Sequence, residues 1–144
     1  MAYDISTVDV WAGAIEDRPG SLSEILEPLA EAGVNLEFLI ARRAPDKPGT
    51  GVVFLAPIKG AKQVRVAKSA GLAKADILRA VRVEGPDSAG LVARITCALA
   101  DAGINLRGLS AAALGKRSAV YIGFDSSADA GKASRILRDA LGRK

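Results

Sequence analysis

Residues 17–36 read DRPGSLSEILEPLAEAGVNL, and residues 87–106 read DSAGLVARITCALADAGINL. The two stretches lie 70 residues apart and align without a gap on glycines, turn residues and apolar positions. Self-similarity of this length indicates one supersecondary unit that is duplicated within the chain. We therefore predict two like modules, residues 1–74 and 75–144. The matched positions in the first copy are Asp17, Gly20, Ile25, Leu29, Ala30, Ala32, Gly33, Asn35, Leu36, Leu39, Ala41 and Phe54, the last of which matches Phe124.

The order of elements within one copy can be read from the periodicity of its apolar residues. Residues 8–15 are rich in β-type residues and end in a turn that contains a Pro-Gly pair, which predicts a strand. Apolar residues at helical spacing predict a helix from Ser21 to Ala32, which Gly33 ends as a left-handed cap. Two strands around a loop at residues 44–49 then predict a hairpin. Residues 59–70 predict a second helix.

This order predicts an α+β fold in which each module is ferredoxin-like, with helices on one face of an antiparallel sheet. Residues 72–74 can supply the closing strand of the first module, whereas no such strand follows the last helix of the second. In the 70-residue register, residues 2–4 correspond to residues 72–74. Two readings stay open: residues 2–5 close the sheet of the second module, or they extend the first strand.

The composition excludes several classes of protein. The chain has no His and one cysteine, Cys97, so neither an intramolecular disulfide nor a His-based catalytic centre can form. We expect Cys97 to be a small core residue, and the carboxylates show no metal-like spacing, so we expect no enzyme activity, no metal and no cofactor. No apolar run approaches the ~18 residues of a membrane helix, and the first residues lack a secretory pattern. These features favour a cytoplasmic protein.

The net charge of +4 comes from the second half of the chain. Residues 1–74 hold nine basic and nine acidic residues, whereas residues 75–144 hold eleven and seven. A basic half keeps binding of nucleic acid open as an alternative. Three Phe, two Tyr and one Trp leave no aromatic pair for base stacking, so a solvated surface is the preferred interpretation.

The two repeated stretches resemble the signature of the ACT domain, the small-molecule regulatory module attached to many amino-acid biosynthetic enzymes. The resemblance covers both copies and so nearly the whole chain. It implies a ferredoxin-like βαββαβ fold for each copy. It also implies modules that pair side by side or through their sheets, and an amino acid bound where two modules meet.

The candidate ligand-binding residues follow from this resemblance and from their own chemistry. A turn with a glycine leads into a helix N-terminus, where free N–H groups favour a carboxylate, and the asparagine amide after the helix offers both a donor and an acceptor. Alternatively, these residues have structural roles only: Asp17 forms an Asx turn, Gly20 relieves backbone strain and Asn35 caps the start of a strand. The candidates are Asp17, Arg18, Pro19, Gly20, Ser21, Leu22, Asn35 and Leu36 in the first copy, and Asp87, Ser88, Ala89, Gly90, Leu91, Asn105 and Leu106 in the second.

The two predicted sites differ in sequence. Ser88-Ala89 replaces Arg18-Pro19, and loss of the proline loosens the second turn. Arg42-Arg43 has no counterpart in the second copy, where Ala112-Ala113 stand. Two readings stay open, that the pair lines the first site or that it is solvated, and we prefer the second.

The predicted function is a regulatory or sensor protein that binds an amino acid or a similar metabolite. The alternatives are a regulatory subunit of an amino-acid metabolic enzyme and a nucleic-acid-binding module. We expect a homodimer, because one face of each small sheet needs to be covered.

Overall fold

The structure is a computed structural model that describes residues 3–142, without the side chains of residues 75–78. This part of the chain contains six strands and four helices. The elements are β1 (Asp4–Glu16), α1 (Ser21–Glu31), β2 (Phe38–Arg43), β3 (Thr50–Ala56), α2 (Gly60–Ser69), β4 (Ala73–Pro86), α3 (Leu91–Asp101), β5 (Gly108–Leu114), β6 (Arg117–Gly123) and α4 (Ser127–Leu141).

Residues 9–75 form one compact unit. Within it β3 pairs antiparallel with both β1 and β2. Alternate strand residues, among them Trp11, Val53 and Leu55, share a buried cluster with Ile25 and Leu29 of α1. Because these strand residues all lie on one sheet face, the helices cover that face, as the amphipathic pattern predicts.

The second compact unit joins the residues up to Val8 with those from Asp76 onward. Here β6 pairs antiparallel with both β4 and β5. The buried cluster again joins one sheet face, including Val83 and Ile122, to residues of α3 and α4 such as Leu99 and Leu137. The predicted α+β fold with two ferredoxin-like modules is confirmed.

The N-terminal segment packs into the core of the second unit. The side chains of Tyr3 and Ile5 are 2% and 6% exposed and belong to that unit's cluster. The Tyr3 hydroxyl donates to the Pro86 carbonyl at 3.1 Å, and Arg138 donates to the Ile5 carbonyl at 2.8 Å. Ala2, which the prediction also included, lies outside the described residues. We propose from these contacts that the segment closes the second module.

The two hairpin loops differ in length, so the 70-residue register predicted from the sequence does not hold past them. The first is joined by residues 44–49 and the second by residues 115–116. In the first hairpin Ile40 faces Phe54, and in the second Ser110 faces Tyr121. Past the hairpin the repeat distance is therefore 67 residues, 121 less 54, and the match of Phe54 with Phe124 is wrong.

The helix boundaries agree with the sequence prediction, whereas one burial prediction does not. Helix α1 begins at Ser21 as expected and ends within one residue of the predicted end, where Gly33 has a φ of 85°. Cys97 was predicted to be a core residue, and it is exposed. Leu91, Ile95 and Leu99 of its helix are buried in the core. Cys97 lies two residues from both Ile95 and Leu99, which at 3.6 residues per turn places it on the opposite side of the helix.

We predict that Ile5→Ala loosens the second unit. Truncating a buried isoleucine costs about 2–5 kcal/mol, so amides of β6 should lose protection in hydrogen exchange while those of β3 keep theirs. The control is Leu114→Ala, since that side chain is 88% exposed, and it should change neither. Loss of protection confined to β3 would contradict the proposed closure by the N-terminal segment.

Candidate functional site

The turn between β1 and α1 opens onto a cleft of about 290 Å³, which we call the first cleft. Gly20 has a φ of 90°, a conformation that favours glycine, and it brings the chain from the strand into the helix. The cleft lies between this turn, the first turn of α1 and the ends of β2 and β3. Its lining residues are Ile15, Glu16, Asp17, Arg18, Gly20, Ser21, Leu22, Ser23, Ala41, Arg42, Arg43 and Gly51.

The second unit has a corresponding cleft of about 300 Å³, the second cleft, at the turn between β4 and α3. Gly90 has a φ of 83° and brings the chain from β4 into α3, as Gly20 does from β1 into α1. The two clefts are therefore repeats of one site. The lining residues of the second cleft are Asp87, Ser88, Gly90, Leu91, Val92, Ala93, Ala111, Ala112, Ala113, Ser118 and Val120.

The helices that start at the clefts have no side-chain cap. Neither Gly20 nor Gly90 provides a side-chain hydrogen bond to the first turn of its helix. In contrast, α4 is capped by the Ser126 hydroxyl, which accepts from the Asp129 N–H at 3.1 Å. An uncapped first turn leaves backbone donors for another acceptor, and the helix dipole favours an anion there.

Two sets of ion pairs border the first cleft. Arg18 pairs with Glu16 at 2.7 Å and with Glu24 at 2.9 Å. Its hydrogen bond to Glu24 and its charge hold the pKa of that carboxyl below the ordinary value. The Nε of Arg43 donates to the Asp17 carboxylate at 2.9 Å. These pairs are exposed, so they fix geometry more than they stabilise the fold.

The second cleft lacks these arginines. Ser88 stands at the position of Arg18, and Ala113 stands at the position of Arg43. Among the described residues, Asp87 is the only charged residue that lines this cleft, and its carboxylate has no partner there. Of the arginines that line the first cleft, Arg18 and Arg43 are paired with its two carboxylates, whereas the lining of the second cleft has one carboxylate and no arginine.

The strand register shows how the sheet sides of the two clefts differ. Gly51 lies between Arg43 of β2 and Ile15 of β1, whereas Ser118 lies between Ala113 of β5 and Gly85 of β4. A side chain at Gly51 would approach the Arg42 carbonyl oxygen to 2.8 Å and the Ile15 side chain to 3.1 Å. Glycine is therefore required at position 51, chiefly by the Arg42 carbonyl oxygen, whereas in the second cleft Ser118 lies beside Gly85.

Each cleft contains one buried hydroxyl that has no hydrogen-bond partner within the described chain. They are the Oγ atoms of Ser21 and Ser118, whose residues are 5% and 8% exposed. They lie on opposite walls, since Ser21 begins helix α1 and Ser118 belongs to strand β6. A buried hydroxyl without a partner costs about 1–3 kcal/mol, so each one points to a group that binds in its cleft.

The structure brings most of the predicted site residues together. Asp17, Arg18, Gly20, Ser21 and Leu22 line the first cleft, and Asp87, Ser88, Gly90 and Leu91 line the second. The remaining candidates do not line either cleft. They are Pro19, Asn35, Leu36, Ala89, Asn105 and Leu106.

The two asparagines occupy equivalent exposed positions between a helix and the next strand. Asn35 lies between α1 and β2, and Asn105 lies between α3 and β5. Each is therefore accessible to another molecule, and neither is part of the cleft of its own unit.

Sequence reasoning missed Gly51 and Ser118 and underrated Arg43. In the ungapped register Ser118 corresponds to Pro48 in the hairpin loop, so its place opposite Ala113 was hidden by the difference in loop length. Arg43 is exposed, as expected, yet it lines the first cleft and holds Asp17. The alternation of Arg42 and Arg43 along β2 was the available signal, because it places only one of them on the helix side.

The chain is thus a duplicated ferredoxin-like protein. Each βαββαβ module has one cleft, which lies at the uncapped N-terminus of its first helix. The family comparison gives the same division: the ACT domain matches residues 15–70 and residues 79–140. The chain therefore belongs to the ACT domain family.

Solved structures share the fold across the whole chain. Protein BT0572 from Bacteroides thetaiotaomicron is 19% identical, with 95% of this chain and 90% of that chain covered and a TM-score of 0.77. The ligand-free regulatory subunit of aspartate kinase from Thermus thermophilus is 18% identical, with 99% and 98% covered and a TM-score of 0.67. Aspartokinase III of E. coli, in complex with aspartate and ADP, matches over 33% of its length with a TM-score of 0.59. No curated protein gave a match.

Neither a metal-binding cluster nor a membrane-spanning helix occurs in residues 3–142, the part of the chain that the structure describes. No group of three or more His, Cys, Asp or Glu residues could hold a metal ion there. No helix of that part is both long and apolar enough to cross a membrane.

We predict that Arg18→Gln raises the pKa of Glu24 toward its ordinary value, because the substitution removes the hydrogen bond and the charge that lower it. The pair stabilises the fold fully above the ordinary carboxyl range, and this contribution is lost as the pH falls through the lowered pKa. Titration of the Glu24 side-chain carbon by NMR measures the shift. Arg65→Gln on α2 is the control, and an unchanged pKa in Arg18→Gln would contradict the pairing.

Proposed function

We propose that the protein is a non-catalytic regulatory or sensor protein that binds an amino acid or a similar small metabolite at its two clefts. The observation that carries the proposal is the combination of an uncapped helix N-terminus and an unpartnered buried hydroxyl in each cleft. A polar ligand would supply the hydrogen-bond partners that the helix N-termini and the buried hydroxyls lack. Membership of the ACT domain family agrees with this role.

The chemistry of the clefts suits a small carboxylate. Backbone donors at the start of α1 and α3 favour a negatively charged group, and the glycines allow close approach of the ligand to the main chain. Volumes of about 290 and 300 Å³ lie at the lower end of the range for ligand sites. A molecule of the size of an amino acid is the natural occupant.

The proposal assigns no reaction to the chain. The sequence has no His, and the carboxylates of the first cleft are held by arginines. Binding would therefore act by changing the association or conformation of the protein. A partner that responds to the bound state is part of this proposal.

The second candidate is a regulatory subunit that associates with a separate catalytic chain. It is favoured by the similarity to the Thermus thermophilus regulatory subunit, which extends over nearly the full length of both chains. A regulatory subunit would copurify with a catalytic chain when both are expressed together. A sensor protein would bind its metabolite and purify alone.

We predict that a thermal-shift screen of amino acids and related metabolites identifies a stabilising ligand. A ligand at 100 times its dissociation constant adds about 2.7 kcal/mol to the free energy of unfolding. The screen should be repeated with Gly20→Ala, which places a side chain at the mouth of the first cleft. Its matched control is Gly60→Ala, because Gly60 has a similar φ of 83° and lies outside both clefts.

Both variants should lose a similar amount of stability, since the added side chain is strained at a positive φ in each. Only Gly20→Ala should also weaken binding at the first cleft, by calorimetric titration. Equal affinity in the two variants would remove this turn from the binding site.

We further predict a homodimer in which Asn35 or Asn105 reaches the cleft of a second copy. Each asparagine is exposed and outside its own cleft, and a lost hydrogen bond to a charged group weakens binding about ten- to a hundredfold. Sedimentation should give twice 14.8 kDa, and Asn35→Ala and Asn105→Ala should bind more weakly with normal melting. A monomer, with and without the ligand, would contradict this assembly.

A further inference from the structure

We propose that the two clefts, taken as the binding sites of the function proposed above, select different classes of ligand. The first accepts a dicarboxylate, whereas the second accepts a small zwitterion with one carboxylate and one ammonium group. The selecting position is residue 43 in the first cleft and its equivalent, residue 113, in the second.

Both clefts share the part that binds the first carboxylate. Helices α1 and α3 begin at glycines of positive φ and have no side-chain cap. A carboxylate at either N-terminus receives backbone donors and a favourable dipole. Selection must therefore depend on what each cleft offers to the rest of the ligand.

In the first cleft the second group meets a guanidinium. Only the Nε of Arg43 is engaged by Asp17, at 2.9 Å, and its terminal amino groups have no partner in the described part of the chain. The planar fork of arginine can hold a further carboxylate through those groups. Because Asp17 is already paired, it repels such a ligand less than a free carboxylate would.

In the second cleft the same position is Ala113, so Asp87 is left without an arginine. A carboxylate with no partner can accept hydrogen bonds from the ammonium group of a ligand. It also repels a second carboxylate, and no cation among the described lining residues offsets that repulsion. The charge of Asp87 thus disfavours, in the second cleft, the dicarboxylate that the first cleft accepts.

The unpartnered hydroxyls are a second and independent difference between the clefts. In the first cleft the hydroxyl is that of Ser21 on the helix wall, and the sheet wall has Gly51, which carries no side chain. In the second cleft the helix wall has Leu91, and the hydroxyl is that of Ser118 on the sheet. The buried polar atom is therefore beside Ala113 in the cleft that lacks the arginine.

The test uses succinate and glycine as probes of the two ligand classes, with the full-length protein and its backbone amides followed by NMR. Succinate should shift the amides around Gly20 and Arg43, and glycine should shift those around Gly90 and Ala113. In Arg43→Ala, succinate binding to the first cleft should weaken about tenfold or more. The same variant frees Asp17, so glycine should begin to shift the amides of the first cleft.

The reciprocal variant is Ala113→Arg, at an exposed position of an edge strand. Its guanidinium should pair with Asp87, so glycine binding at the second cleft is lost and succinate binding is gained. Ser21→Ala and Ser118→Ala are the matched pair for the hydroxyls. Each removes a buried group that has no partner in the described part of the chain, so neither should lower the melting temperature, and each should weaken binding only in its own cleft.

The outcomes separate this inference from the function on which it rests. If both probes shift both clefts equally, or if the variants leave the preferences unchanged, the selectivity is wrong while metabolite binding at the clefts stands. If the clefts respond to neither probe but to another metabolite of the screen, the two ligand classes are wrong and the function again stands. If no metabolite shifts either cleft, both proposals fail.

Discussion

A single backbone constraint shapes both clefts. Gly20 and Gly90 have φ values of 90° and 83°, which residues other than glycine adopt only with backbone strain. This conformation turns the chain from a strand directly into a helix and provides no side chain to cap the first turn. The helix start is consequently left with unsatisfied donors beside a concave surface, and the remaining features of the clefts are arranged around it.

Duplication has preserved this turn while changing the chemistry around it. The apolar positions that form the two cores are repeated, because each module needs to cover one face of its sheet. The residues across the strands at the clefts are not repeated: Arg43, Gly51 and Ile15 in one module stand where Ala113, Ser118 and Gly85 stand in the other. Packing restricts the combinations, since the Arg42 carbonyl oxygen and the Ile15 side chain together leave no room for a side chain at position 51.

Much of the fold could be predicted from the sequence, because helical periodicity and the glycine stops are local signals. The start of α1 at Ser21 and the hairpin around residues 44–49 follow from such signals. The position of Ser118 could not be predicted in the same way. The second hairpin loop is shorter and shifts the register by three residues, 70 less 67, and no local signal in the preceding sequence indicates this shift. The exposure of Cys97 could have been read from the same periodicity, because position 97 lies two residues from both Ile95 and Leu99 and therefore falls on the opposite side of the helix.

The proposed function depends on a ligand carboxylate that completes the uncapped start of a helix in each module. A crystal structure of the protein with the metabolite that gives the largest thermal shift tests it most directly. We predict ligand density at the N-terminus of α1 or α3, with carboxylate oxygens at about 2.9 Å from first-turn backbone nitrogens and a polar atom near the Ser21 or Ser118 hydroxyl. Ligand density away from both helix starts, with the two hydroxyls still unpartnered, would contradict it.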